Sequence, residues 1–269
     1  MRVLVCGDAM HDEYWRGSVF RISPEAPVPI LKLDAVEHRQ GGAANVANNI
    51  EAMGVSCERL FGGGERIRKI RLLTKNQHLL RADFDFPQKP IECDATYLEA
   101  LGRCEIVVFV DYEHGSLRNV QLLIAKAREA GRTVLVDPKG FSYSKYRGAT
   151  LIKPNQNEMK ELVGGWDNQE ELDFRARQFL LASGIESILL TQGELGMTLY
   201  TKTETTHYPA EAKEVVDICG AGEAALAAFT ASLAKGKTFG EAAKYANKAA
   251  GIKVAYFGTM VLEEKDVFG

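Results

Sequence analysis

Short runs of β-branched and apolar residues, each closing on a polar residue or a glycine, alternate along this chain with longer amphipathic segments. RVLVCGD, EIVVFVDY, TVLVDPK, TLIKPN and SILLTQG are of the first kind. AANVANNIEAMG, LRNVQLLIAKAREAG, NEMKELVGG, QEELDFRARQFLLASG and GEAALAAFTASLAKG are of the second. In the second helical segment Val120, Leu123, Ile124 and Ala127 repeat at helical spacing, and Gly131 ends it. Buried runs separated by helices predict an α/β fold with a mostly parallel, Rossmann-like sheet and helices on both faces. Ligands gather at the C-terminal strand ends of such sheets. Those ends carry Asp8, Asp111, Asp137, Asn155 and Thr191.

Two stretches break this rhythm. APVPILKLDAVEHRQ and RKIRLLTKNQHLLRADFDF alternate apolar with polar residues, as half-buried strands of a small second sheet do. They flank residues 41–54, so residues 26–39 and 67–86 are expected to form a β-lid within a single domain spanning residues 1–269. A formal net charge of -3 gives no basic bias, which argues against a nucleic-acid partner. The five cysteines include no CxxC pair and point to reduced thiols in a cytoplasmic protein. MRVLVCGD reads as a first strand rather than a signal peptide, and no run reaches the ~18 apolar residues of a membrane span. The five histidines are spread out, with no metal-ligand spacing.

Five constellations could carry chemistry, and each has a plainer reading. Asp8 and Asp12 in GDAMHDEYW could accept from sugar hydroxyls, or could be a turn residue and a solvated one. Gly41, Gly42 and Asn45 could bring backbone and amide close to a ligand, and tight helix packing explains the glycines equally well. Asn155 and Glu158 could organise a hydrated magnesium ion, although a capping box is the commoner use of that spacing. TQGELGMTLY could lie against a nucleotide or be an ordinary hairpin. Gly220-Ala221-Gly222-Glu223 would present main-chain N–H groups to an anion at a helix start, with a carboxylate able to take a proton from an attacking hydroxyl. No GxxxxGK[ST], GxSxG or HExxH motif is present, and the first strand lacks the GxGxxG of a dinucleotide-dependent oxidoreductase.

Taken in order, these segments resemble the ribokinase-like (PfkB) sugar kinases. The stretch from GDAMHDEYW through GGAANVANNI, then KNQHLLRADF, VDPKGFSYSKYRGATLIKPNQNE and GAGE before a small-residue helix carry the resemblance over nearly the whole chain. It implies an ATP- and Mg2+-dependent kinase acting on a sugar phosphate, with the anomeric hydroxyl of a heptose 7-phosphate as the expected acceptor. Asp8, Asp12, Gly41, Gly42 and Asn45 would hold the sugar, and Arg71, Lys75 and Arg81 are candidates for its phosphate. Asn155 and Glu158 would place magnesium and phosphates, with Asn155 acting through water. Thr191, Gly193, Gly196, Asn247 and Gly251 would line the nucleotide. Gly220, Ala221 and Gly222 would form the anion hole, and Glu223 would be the base. A homodimer through the lid strands is expected. Two departures stand out. The family has aspartate where this chain has Glu223, and only FGGGERI stands where the family has a longer substrate-closing stretch. A member that binds ligand with little turnover is the alternative these departures suggest.

Overall fold

The computed structural model describes residues 1–75, 77–140, 142–211 and 214–269, so Asn76 of the expected lid lies outside the described residues. Strands and helices are numbered along the chain. In the larger sheet, β1 (Val3–Gly7), β4 (Cys57–Phe61), β7 (Ile106–Val110), β8 (Thr133–Asp137), β9 (Leu151–Ile152) and β10 (Ser187–Thr191) run parallel. β11 (Met197–Thr201) and β12 (Thr205–Tyr208) extend one edge antiparallel, giving the order β12-β11-β10-β9-β8-β7-β1-β4. TQGELGMTLY is therefore the hairpin that its local sequence favours.

Both faces of this sheet are covered, which is why its strands are apolar at successive positions. Val3 and Val5 face a layer of α1 (Ala43–Ala52), α6 (Ala221–Ala234) and α7 (Phe239–Lys253), while Leu4 and Cys6 face the opposite side. There α2 (Ala95–Arg103), α3 (Val120–Glu129), α4 (Gln156–Val163) and α5 (Gln169–Ser183) pack. Helix α6 is buried at every position from Ala224 to Ala234. Its run of alanines lets the helix lie close between α1 and α7, because interaxial distance follows side-chain size. A short α8 (Glu264–Phe268) closes the chain against the same layer.

The second sheet is a lid of β2 (Ala9–Ile22), β3 (Pro29–Gly42), β5 (Ile67–Thr74) and β6 (Gln77–Phe84), in the order β3-β2-β5-β6. The expected lid stretches fall on β3, β5 and β6. Strand β2 escapes the periodicity argument for a physical reason. Its core-facing side runs Met10, Asp12, Tyr14, and the acid in the middle is buried by pairing with Arg71 rather than by being apolar. A single residue, Asp8, separates β1 from β2, and no residue separates β3 from α1. Among the described residues no helix is long and apolar enough to cross a membrane.

Candidate active site

The site assembles at the N-terminus of α6. Gly220 caps the helix in the left-handed region at φ 81°, and no side chain caps it. Ala221 N–H donates to Ile218 O and Ala224 N–H to Gly220 O. The amides of Gly222 and Glu223 between them have no acceptor among the described residues. Free N–H groups at the positive end of a helix favour an anion. Glu223 stands in the same turn, and its Oε1 accepts from the Tyr112 hydroxyl at 2.5 Å.

A cavity of about 860 Å³ opens beside this turn. Ala221, Gly222 and Glu223 line it, together with Asn155, Glu158, Thr191, Gly193, Gly196, Asn247 and Gly251, so every residue expected on the nucleotide side meets in one place. Several of these side chains already have structural work. Asn247 Nδ2 donates to Pro209 O at 2.8 Å. Gly196, at φ 93°, lies where a Cβ would stand 2.1 Å from Tyr208 O, so the hairpin admits no side chain there. Asn155 and Glu158 form the capping box of α4. Glu158 Oε2 accepts from Asn155 N–H at 2.9 Å and Oε1 from Lys139 Nζ at 3.1 Å, which leaves lone pairs free on both oxygens.

Sequence reading missed the buried pair under the glycine turn. Lys153 Nζ lies 2.9 Å from Asp137 Oδ1 and 3.2 Å from where a Cβ on Gly222 would stand. Burial pushes the Asp137 carboxyl up to about 6, and the Glu158 and Glu223 carboxylates add to that push against the pull of Lys153. Burial works against the Lys153 ammonium as well, but Asp137, Glu158 and Glu223 outweigh it and raise its pKa. Three carboxylates against Lys153 and the more exposed Lys139 leave one negative charge in excess. With Asn155 beside them the donor set is all oxygen, which fits a hydrated magnesium ion. The signal for Lys153 was present in KPNQNE, two residues ahead of Asn155, but a lysine there reads as surface until the sheet buries it.

On the acceptor side Asn45 is 2% exposed, its Oδ1 accepts from Asn49, and its Nδ2 has no partner among the described residues. That amide lies 3.6 Å from where a Cβ on Gly220 would stand, and Thr259, whose Oγ1 is also unpartnered and buried, lies 3.3 Å from the same point through its Cγ2. Asn45 and Thr259 also line a second cavity of about 390 Å³ with Arg39, Gln40 and Asn48. Gly41 and Gly42 are needed for close packing. A Cβ on Gly41 would meet Asp12 Oδ2 at 2.3 Å, and one on Gly42 would meet Asp8 O at 2.5 Å.

Asp8 is fully buried, and its carboxylate accepts from the N–H groups of Tyr112, His114 and Ser116 at 3.0–3.2 Å. It therefore braces the loop that carries Tyr112. Asp12 is paired with Arg71 at 2.6 Å beneath the lid. Arg81, opposite Arg71 on the neighbouring strand, pairs with Asp83, and Lys75 lies in the β5–β6 turn. Lys69 faces inward instead, with its ammonium 5.6 Å from the Tyr112 ring centroid and no ion-pair partner among the described residues. The short connection after β4 leaves Gly62 against the buried Ser116 hydroxyl, which has no partner among the described residues.

The pfkB family carbohydrate kinase pattern matches residues 99–266. The chain is 41% identical, over its whole length and 95% of the relative's, to the D-beta-D-heptose 7-phosphate kinase of Bordetella bronchiseptica. That pairing spans 298 positions against the 269 residues present here, so the relative carries stretches this chain lacks. It is 40% identical to the Bifunctional protein HldE of Aeromonas hydrophila, matching 96% of this chain but only 61% of that one. Arabidopsis thaliana ribokinase, solved with ribose and ATP, shares the fold at TM-score 0.79 and 19% identity, covering 99% of this chain and 97% of its own. Escherichia coli phosphofructokinase-2 with substrates and products does so equally, at 0.79 and 19% over the same shares. The chain belongs to the pfkB family of carbohydrate kinases. Nothing in these comparisons supports the alternative of a member that binds ligand with little turnover.

Proposed function

We propose that the chain transfers the γ-phosphoryl group of ATP to the anomeric hydroxyl of D-glycero-β-D-manno-heptose 7-phosphate. The observation that carries this is the α6 turn. Two unpaired amides and a carboxylate face a cavity ringed by the nucleotide-side residues, and the unpartnered Asn45 amide stands on the far side of Gly220. Asn45, Asp12 and the main chain at Gly41 and Gly42 orient the sugar, and Lys69 meets its existing phosphate more readily than Arg71 or Arg81, which already have acidic partners. Asp8 acts through the loop it braces. Thr191, Gly193, Gly196, Asn247 and Gly251 border the nucleotide.

In the reaction the acceptor oxygen attacks the γ-phosphorus, its proton passes to Glu223, and the bond to the β-phosphate oxygen breaks to release ADP. The amides of Gly222 and Glu223 and the Lys153 ammonium meet charge on the moving group, which is where such transfer gains most. Magnesium, held by Glu158 and Asp137 and through water by Asn155, would neutralise phosphate charge. Glu223 reaches one methylene further than the family's aspartate, and Tyr112 donates to it there. The 269 residues act as one kinase domain with its lid.

Two further readings have support. Phe20, Ile22, Leu33, Val36, Leu80 and Phe84 are exposed apolar residues of the lid strands, which fits a homodimer formed through the lid. The cysteines are all free, which fits a reducing, cytoplasmic setting. The test of the reaction is coupled ADP release with ATP and heptose 7-phosphate. Wild type turns over, and Glu223→Gln loses about 100-fold or more, the share of a general base. No ADP release with any sugar phosphate sinks the kinase, whereas a fully active Glu223→Gln removes only the base.

A further inference from the structure

The lid folds together two histidines that lie 27 positions apart in the sequence. Cross-strand pairing sets Glu13 opposite His38, and His11 lies two residues along β2 from Glu13. Side chains alternate along a strand, so all three share the outer face of the lid, away from Asp12 and Tyr14. His11 Nε2 and His38 Nδ1 stand 3.1 Å apart, and the rings are 5.2 Å apart at 37°. One ring nitrogen from each and a Glu13 carboxylate oxygen lie within 4.8 Å of one another. Two nitrogens on a tetrahedral metal at 2.0–2.1 Å are separated by about 3.3 Å. The rings thus already hold ligating separation, with the carboxylate beside them.

Glu13 is the better-built part. It is 4% exposed, one oxygen accepts from Trp15 Nε1 at 2.9 Å, and the other accepts from Arg68 Nε at 2.8 Å. The Arg68 hydrogen bond holds the Glu13 carboxyl below the usual carboxylate range. Donors behind a carboxylate fix its direction as those behind metal ligands do, and each oxygen keeps a lone pair.

We propose that His11, Glu13 and His38 bind one zinc-class divalent ion on the outer face of the lid, with water at the fourth position. Two imidazoles and a carboxylate suit late first-row metals, whereas magnesium prefers an all-oxygen set, so this ion is distinct from any at the kinase site. In the free protein one of the two facing nitrogens carries the proton of the His11–His38 hydrogen bond. On binding that proton moves to the other nitrogen of the same ring, and both facing lone pairs go to the metal. No redox change is involved. The ion ties β2 to β3 across the lid.

Calorimetric titration of the tag-free chain with zinc chloride tests this. One ion per chain binds at micromolar concentration or tighter, His11→Ala and His38→Ala each weaken binding at least tenfold, and excess magnesium chloride leaves it unchanged. His38→Gln, a polar replacement at an exposed position, gives the same loss and guards against a folding artefact. Absence of saturable binding overturns the proposal. So does zinc binding of equal strength in the histidine variants, which would put the ion on the cysteines or in the cavity.

Discussion

Replacing Tyr112 by phenylalanine removes one hydroxyl and leaves the ring and its packing in place. The lost contact is a 2.5 Å hydrogen bond to the carboxylate of Glu223, with Tyr112 itself held through its main chain by Asp8. A hydrogen bond to a charged group contributes about 1.5–3 kcal/mol. If that energy fixes the base only where the acceptor hydroxyl arrives, its loss appears in kcat as a fall of about 10- to 150-fold. An independent route agrees, because misplacing a reacting group by about 1 Å costs about 100-fold. Tyr112→Phe is therefore expected to lower kcat by one to two orders of magnitude with KM for ATP within about twofold, measured by coupled ADP release. In a Glu223→Gln background the same change should cost nothing further, because the two residues act as one unit. A kcat within twofold of wild type refutes the positioning role. A penalty undiminished in the Glu223→Gln background places the work of Tyr112 elsewhere.

Arg71→Ala leaves the buried Asp12 carboxylate without its partner, and is expected to destabilise the fold by about 3–5 kcal/mol in urea denaturation; a loss under 1 kcal/mol would mean that water or another cation replaces the pair. Asp137 takes up its proton at about 6 in the folded chain, above the 3.8 of the free side chain, so between those values the native state holds more protons than the unfolded one. Its contribution to stability is therefore present below about 4 and lost as pH rises to 6. A carboxyl carbon NMR titration should show the Asp137 midpoint near 6, and a midpoint below 4.5 would refute its burial. Leu33→Asp on the lid is expected to shift the chain to monomers in sedimentation, and an unchanged sedimentation coefficient would remove the lid from the interface.

Most of the core sheet was legible because β1, β7, β9 and β10 are largely apolar and its helices are periodic, signals that depend only on near neighbours in the chain, whereas β4 carries Glu58 and Arg59 and escaped. Strand β2 was hidden by Asp12, whose burial depends on Arg71 from a strand 59 residues away. The same limit governs the site. The glycine turn at 220–222 and the Asn155–Glu158 spacing are local and could be read, and the second is a capping box as well. Tyr112 and Lys153 acquire meaning only when separate strand ends converge. Asp8 illustrates a different limit, since a carboxylate that accepts main-chain amides has the same letter as one that accepts sugar hydroxyls. The histidines, counted as scattered, meet through the register of two antiparallel strands.

Passage of the chain between the two sheets has a mechanical consequence. Both direct crossings, at Asp8 and at the Gly42–Ala43 step, touch one another, since Ala43 N–H donates to Asp8 O at 3.0 Å. The lid is thus joined to the body at this crossing and again where Arg39 donates to Phe257 O and Thr259 O and Tyr14 accepts from Thr259 N–H. Because the side chain of Asp8 accepts from the loop bearing Tyr112, two hydrogen bonds link the crossing between the sheets to the Glu223 carboxylate, so a substitution at the crossing is felt at the proton acceptor.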